Sequence, residues 1–287
     1  MTRPNDANGR GSAWDHSTHK DFYDYYASES QSGDTAKRFR GIQATVLQVA
    51  AQTGLGPQLD IADIGCGAGT QSRLWAERGH RVFGMDVNEP LIRLAEQRAA
   101  EQGLDIKFQV GTATALPWAD RTMDVCLLPE LLEHLADWQS CVKEAARILR
   151  PGGLLYLSTT NVLCPRQQEF NLPLYSWYPR ALKKYCERLA VTTRPAIANY
   201  ARYPAVNWFS FYGLRDYLEP LGFRCLDRFD LIDEAGKAAL ARVVIRMLRA
   251  ASPLRFLGHM ATPSTYLVAV KSAQPTDFAR ASSENVS

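Results

Sequence analysis

The stretch 60-DIADIGCGAGTQS-72 decides the fold. Its opening "LDIADIG" reads as a short strand, and Gly65, Gly67 and Gly69 follow at a strand-to-helix turn. Glycines there permit a tight bend and close approach of backbone to a ligand. The spacing is GxGxG, not the GxGxxG of dinucleotide binders. Asp86 closes the next strand, about 20 residues beyond the first glycine, where an acid accepts hydrogen bonds from ribose hydroxyls. Loop and acid together point to a nucleoside at the carboxyl edge of a sheet. A structural turn with an exposed strand-end acid is the plainer alternative.

Outward from this unit, short apolar runs alternate with amphipathic ones. "QSRLWAERG" reads as helix, "RVFGMDV" as strand, "EPLIRLAEQRAAEQG" as helix, and "DIKFQVG" and "TMDVCLL" as strands. "DWQSCVKEAARILRPGG" is then a helix and turn, and "LLYLSTTN" a strand. Such alternation predicts a parallel sheet with helices on both faces. The "RG" before "HRVFGMD" and the "PGG" before "LLYLS" read as glycine stops to their helices. After residue 161 the rhythm breaks. It resumes with "YGLRDYLEPLGF" as helix and "FRCLDRFDLI" and "STYLVAVK" as strands. Two insertions, about 162–206 and about 233–262, therefore decorate one sheet.

The composition is that of an ordinary soluble globular chain: 287 residues, 46% hydrophobic and 22% charged. A net charge of +3 does not by itself argue for nucleic acid. Cys66, Cys126, Cys141, Cys164, Cys186 and Cys225 are scattered without a CxxC pair, which suits reduced thiols in a cytoplasm. The polar N-terminus lacks the apolar core of a secretory signal. No run of about 20 apolar residues suggests a membrane span. The organisation expected is a lid segment over 1–58, a main domain over 59–271, and a disordered tail over 272–287.

"LPELLEHL", 128–135, poses a second question, because an apolar run carries Glu130, Glu133 and His134. Buried ionised groups are costly unless paired or bound. On a helix the three would share one face. They could bind a metal, form an acid/base pair, or belong to a solvated edge. A proton acceptor or a divalent ion would each serve a hydroxyl nucleophile. Carboxylates favour Mg²⁺, while the imidazole admits Mn²⁺ or Zn²⁺. His16, His19 and Asn207 are further ligand candidates with nothing to rank them.

Asp63, the GxGxG loop, Asp86, "GTATALPW", "MDVCLLPELLEHLADW" and "LRPGGLLYLSTTN" together resemble a class I S-adenosylmethionine-dependent methyltransferase. The "ELLEHL" stretch resembles the ExxEH signature of ubiquinone-biosynthesis O-methyltransferases, which small-RNA 2′-O-methyltransferases share. The resemblance implies a Rossmann-like, seven-stranded, mostly parallel α/β sheet, with insertions after strands 5 and 6. It implies that Asp63 and the backbone of Gly65, Cys66, Gly67 and Gly69 hold the methionine end of the cofactor. Asp86 would take the ribose diol, Val87 the adenine face, and Thr112 and Ala113 the adenine edge. Leu128 and Pro129 would pass beside the sulfonium. Glu130, Glu133 and His134 would be catalytic, and the ExxEH likeness favours a divalent metal on them.

The remaining segments suggest partners. Phe22, Tyr23, Tyr25 and Tyr26 precede the first strand as a lid or as packing, and Arg38 or Arg40 could meet the cofactor carboxylate. In the first insertion, Tyr175, Trp177, Tyr178 and Trp208 lie among Arg180, Lys183, Lys184, Arg188, Arg194 and Arg202, which suits a ring-bearing or lipid-like acceptor. The second carries Lys237, Arg242, Arg246, Arg249 and Arg255 on an amphipathic segment. It would be a peripheral membrane contact over about 236–257, a lid, or a dimer contact. The expectation is a cytoplasmic enzyme, membrane-associated if that contact forms, O-methylating a small, quinone-like or lipid-linked acceptor. The rivals are an RNA 2′-O-methyltransferase and a non-catalytic cofactor-binding scaffold. RNA is disfavoured by the modest charge, and a nicotinamide dehydrogenase by the glycine spacing.

Overall fold

The computed structural model describes residues 30–167, 169–198, 205–234 and 236–272. Phe22, Tyr23, Tyr25, Tyr26, His16, His19 and Arg202, and the tail from residue 273, lie outside the described residues. Helix α1 (Gly33–Thr53) starts where the Ser32 side chain accepts from the backbone of Thr35, and ends at Gly54 in the left-handed conformation. There follow β1 (Asp60–Ile64), α2 (Thr70–Ala76), β2 (Arg81–Asp86), α3 (Glu89–Glu101), β3 (Ile106–Val110) and β4 (Met123–Pro129). The chain continues through α4 (Trp138–Ile148), β5 (Leu149–Thr160), α5 (Arg180–Thr192), α6 (Phe211–Leu218) and β6 (Phe223–Asp227). It closes with α7 (Ala239–Ala250), α8 (Ser252–Met260) and β7 (Ser264–Lys271).

Among the described residues the strands form one seven-stranded sheet in the order β3-β2-β1-β4-β5-β7-β6. The first five are parallel, and β7 runs antiparallel to both β5 and β6. Strand side chains alternate between faces, so the sheet feeds two cores. Ala62, Ile64, Cys126, Leu128, Leu155 and Leu157 pack under α4 and α6 on one face. Ile61, Val125, Leu127, Leu154 and Tyr156 pack against Ile42, Val46 and Val49 of α1 and Trp75 of α2 on the other. The seven-stranded, mostly parallel α/β sheet is therefore as expected.

Several local expectations change. Helix α4 gives way at Leu149 directly to β5, so "PGG" lies inside the strand, beside a register shift against β4. The β6 strand stops at Asp227 because its Oδ1 accepts from the backbone of Phe229 (2.8 Å) and Asp230 (3.1 Å), turning the chain. The basic segment is two helices, α7 and α8, broken at Ala251 ahead of Pro253. α1 is a packed layer of the sheet, yet its Arg38, Gly41, Ile42 and Thr45 also wall a cleft.

Candidate active site

The glycine turn joins β1 to α2. The backbone N–H groups of Gly65 and Cys66 donate to the Met85 carbonyl at 2.8 and 3.0 Å, strapping the turn to the end of β2. Gly67 has a φ of +50°, and a Cβ there would meet nothing within 4 Å. Open space beside exposed backbone is what a ligand requires. Gly69 is different: a Cβ there would stand 2.8 Å from Ala95 and Phe108, so its glycine serves close packing of α2.

Asp86 sits at the tip of β2. Its Oδ2 accepts from Gly67 N at 2.9 Å and its Oδ1 from Asn88 N at 2.8 Å, which fixes the carboxylate beside the loop. Burial raises its pKa against these bonds. Val87 next to it is 54% exposed, an apolar surface at a sheet edge. Gly111 N donates to the Asp86 carbonyl at 3.0 Å and so brings the exposed Thr112 to the same edge. Asp63 is buried and accepts from Ser72 Oγ at 2.5 Å, while its Oδ1 is buried without a partner. Burial pushes that carboxyl up to about 6. An orphaned acidic oxygen beneath a glycine cradle fits an ammonium group, and Asp86 fits a diol. The Leu128 and Ala113 side chains are buried in the core, with Pro129 and Thr112 at the edge.

The "ELLEHL" run is not a helical face. Glu130 adopts a left-handed φ of +51°, and only Leu132–His134 form a short 3₁₀ turn. The three side chains meet different surroundings. Glu130 is half-exposed and paired with Arg38 of α1. Glu133 is 3% exposed and accepts from Thr159 Oγ1 at 2.8 Å. His134 Nδ1 is buried without a hydrogen-bond partner. Among the described residues no group of three or more His, Cys, Asp or Glu is placed to hold a metal ion. The three residues as folded do not fit the divalent site that the resemblance implied.

Burial moves the two inner groups in opposite senses. It pushes the Glu133 carboxyl up to about 8, against the Thr159 bond, and lowers the His134 imidazole. Both are neutral near pH 7. Asn207 Nδ2 donates to the carbonyls of Leu132 (2.9 Å) and Leu135 (2.6 Å), and the backbone N–H groups of Val206 and Asn207 donate to the carbonyl of Glu133. The exit of the first insertion therefore clamps the turn. Thr159 was not singled out by sequence, since a threonine at the end of an apolar strand carries no signal of its own.

A cleft of about 310 Å³ opens beside this turn, at the carboxyl ends of β4 and β5. Arg38, Pro129, Glu130, Tyr156, Ser158, Thr159 and Tyr266 line it. Among the described residues, the aromatics of the first insertion do not line it. Tyr175 is buried, stacked 3.9 Å from Phe170 and edge-on to Trp208, and Lys183 lies over Trp208. They form a small core of their own, from which Trp177 is left exposed.

Known proteins bear on this arrangement. Residues 62–157 match the family described as Methyltransferase domain. The ubiquinone biosynthesis O-methyltransferase of Parvibaculum lavamentivorans is 44% identical over 103 residues, which are 36% of this chain and 41% of that protein. The protein of the same name from Mesorhizobium japonicum is 36% identical over 121 residues, 40% of this chain and 49% of its own. The chain thus spans less than half the length of these curated relatives. The crystal structure of the PH0226 protein from Pyrococcus horikoshii shares the fold, with a TM-score of 0.54 at 18% identity, covering 88% of this chain and 99% of that one. Glycine loop, strand-end acid and sheet order agree with the match of residues 62–157 to the methyltransferase domain family.

Proposed function

We propose that this chain transfers the methyl group of S-adenosylmethionine to an oxygen of a small ring-bearing or lipid-linked acceptor. One observation carries the reading. The glycine loop and Asp86 lie on one side of the β4 end, and on the other lies a cleft lined by Pro129, Glu130 and Thr159, with the Glu133–His134 turn following Glu130 in the chain. The cofactor supplies an electrophilic methyl on a sulfonium. The chain's own task is to hold the acceptor in line and take up its proton. Positioning is worth about 7–11 kcal/mol in favourable cases. His134 is the base, because burial keeps its imidazole neutral and ready to accept. Glu133 sets the turn's polarity as a buried, largely protonated acid held by Thr159. The cleft volume suits one ring or headgroup, at the small end of ligand sites. The relatives' name, ubiquinone biosynthesis O-methyltransferase, supports an oxygen acceptor of quinone-like kind.

The test is methyl transfer from labelled S-adenosylmethionine into a bacterial extract, with magnesium or with chelator, followed by separation of organic and aqueous phases. Label in the organic phase is the expected result. Label confined to aqueous RNA would favour the 2′-O reading, and no transfer despite cofactor binding would favour a scaffold. Chelator should leave the rate unchanged. A chelator-dependent loss would mean that acceptor and ion assemble a site the free protein lacks.

A further inference from the structure

The connection from β6 to β7 holds two helices, α7 and α8. α7 turns Leu240, Val243, Val244 and Met247 to solvent, at offsets of three, four and seven, which is one stripe of a helix. α8 extends the exposure with Leu254, Phe256 and Leu257. Leu240 is 76% exposed, whereas Ile245 on α7 is buried. A surface helix of a globular protein normally buries its apolar stripe, and this one presents it. Contiguous exposed apolar surface marks an interaction site.

Charge identifies the partner. No Asp or Glu occurs from residue 235 to residue 276. Arg249 turns inward to Glu234 and the carbonyls of Phe229 and Ile232, and Arg255 to Asp227 and Asp230. Lys237 and Arg242 are exposed, as is Arg246, which reaches Glu234 at its edge. A second copy docked on the same face would set these cations against one another, since such an interface is self-complementary. An anionic bilayer answers both features, with acyl chains for the stripe and phosphates for the cations.

The face also has a defined place. β5 and β6 are both antiparallel to β7, so they run in one direction, and α7 follows from the edge that carries Asp86 and Glu133. Asn161, just past β5, donates to the carbonyls of His259 (2.8 Å) and Thr262 (2.7 Å), fastening α8 to that edge. We infer that α7 and α8 dock the carboxyl edge of the sheet onto an anionic lipid bilayer, with the Leu240–Met247 stripe among acyl chains and Lys237, Arg242 and Arg246 at the headgroups. The docking does not depend on which acceptor is methylated.

Flotation of the full chain with vesicles, without cofactor or acceptor, tests this. Vesicles of phosphatidylcholine with phosphatidylglycerol should carry the protein, and added salt or pure phosphatidylcholine should release it. Val243→Asp combined with Met247→Asp should abolish flotation. Arg242→Ala should lower the partition coefficient about fivefold. Cofactor binding and circular dichroism, unchanged in these surface variants, report that the fold is intact. A wild-type chain that stays with the aqueous phase overturns the inference, as does flotation that the Val243/Met247 variant retains. A dimer dispersed by that variant, with no lipid binding, would assign the face to a second copy and overturn it too.

Discussion

Glu133 and His134 are neighbours in sequence, yet each meets burial with a different charge type. The carboxyl is pushed up to about 8 and the imidazole is lowered from 6.5. If His134 takes the acceptor's proton, kcat should fall on the acid side with an apparent pKa below 6.5. His134→Ala and Glu133→Ala should each cost about 10²–10⁴-fold in turnover while leaving the cofactor dissociation constant nearly unchanged. Full activity in either variant would remove that residue from the site. The same burial makes a stability statement. An acid whose folded pKa is raised binds more protons folded than unfolded, so stability is lost as pH climbs from 4.5 towards 8. Glu133→Gln has no charge to bury. It should match the wild type below that window and exceed it above by on the order of 2–4 kcal/mol in denaturant titration. At the other side of β4, Asp86→Ala removes the acceptor held by Gly67 and Asn88. Loss of a charged hydrogen bond predicts about 10–100-fold weaker cofactor binding by calorimetry. An unchanged constant would contradict the ribose role.

Elements are placed here by a few buried polar clamps. Asp227 at the end of β6 is fully buried and bonded to His259 of α8 (2.8 Å), to Arg255 (2.6 Å) and to two backbone N–H groups of its own turn. Burial alone would raise this carboxyl, but the bonds from His259 and Arg255 hold it well below the usual carboxylate range. A depressed acid stabilises the fold above its unfolded value, and that stability is lost as pH falls below about 4. Removing it takes the carboxylate partner from the buried His259 and leaves Arg255 with Asp230 alone. Asp227→Ala should cost about 3–5 kcal/mol in chemical unfolding, and a loss under 1 kcal/mol would show that α8 is held by packing instead. The Glu133 turn is clamped in the same manner by Asn207. In both places a polar side chain distant in sequence fixes the geometry of a short, non-repetitive segment.

Over the whole molecule, the sheet presents its carboxyl edge to every feature with functional chemistry: the glycine loop, Asp86, the Glu133 turn, the 310 Å³ cleft and the connection to α7. A ligand that binds only the folded state raises its stability by about 2.7 kcal/mol at a hundredfold excess over its dissociation constant. For a chain of this size that is about 5–10 °C in melting temperature. Saturating S-adenosylmethionine should produce such a rise in the wild type and little in Asp86→Ala. An equal rise in both would place the cofactor elsewhere. The described residues contain no helix long and apolar enough to cross a membrane. The bilayer docking inferred above therefore needs no span.

Much of this was legible before folding. The alternation of "LDIADIG", "RVFGMDV" and "LLYLSTTN" with amphipathic runs is a local signal, because burial on both sheet faces dictates residue type position by position. The glycine loop and Asp86 were legible for a related reason, since their conformations and spacing are set within one strand-turn-helix unit. The chain by itself thus determined the sheet, the glycine loop at its carboxyl edge and the methyltransferase likeness. Tertiary structure decided where Glu130, Glu133 and His134 point. A left-handed residue and a 3₁₀ turn stand where periodicity suggested a helix, held by Thr159, Arg38 and Asn207 from elsewhere in the chain. It also decided that Tyr175 and Trp208 pack on each other and that the Leu240–Met247 stripe faces outward. Sequence records which side chains are apolar or charged. Which of them find a partner depends on contacts between distant segments, and only the fold supplies those.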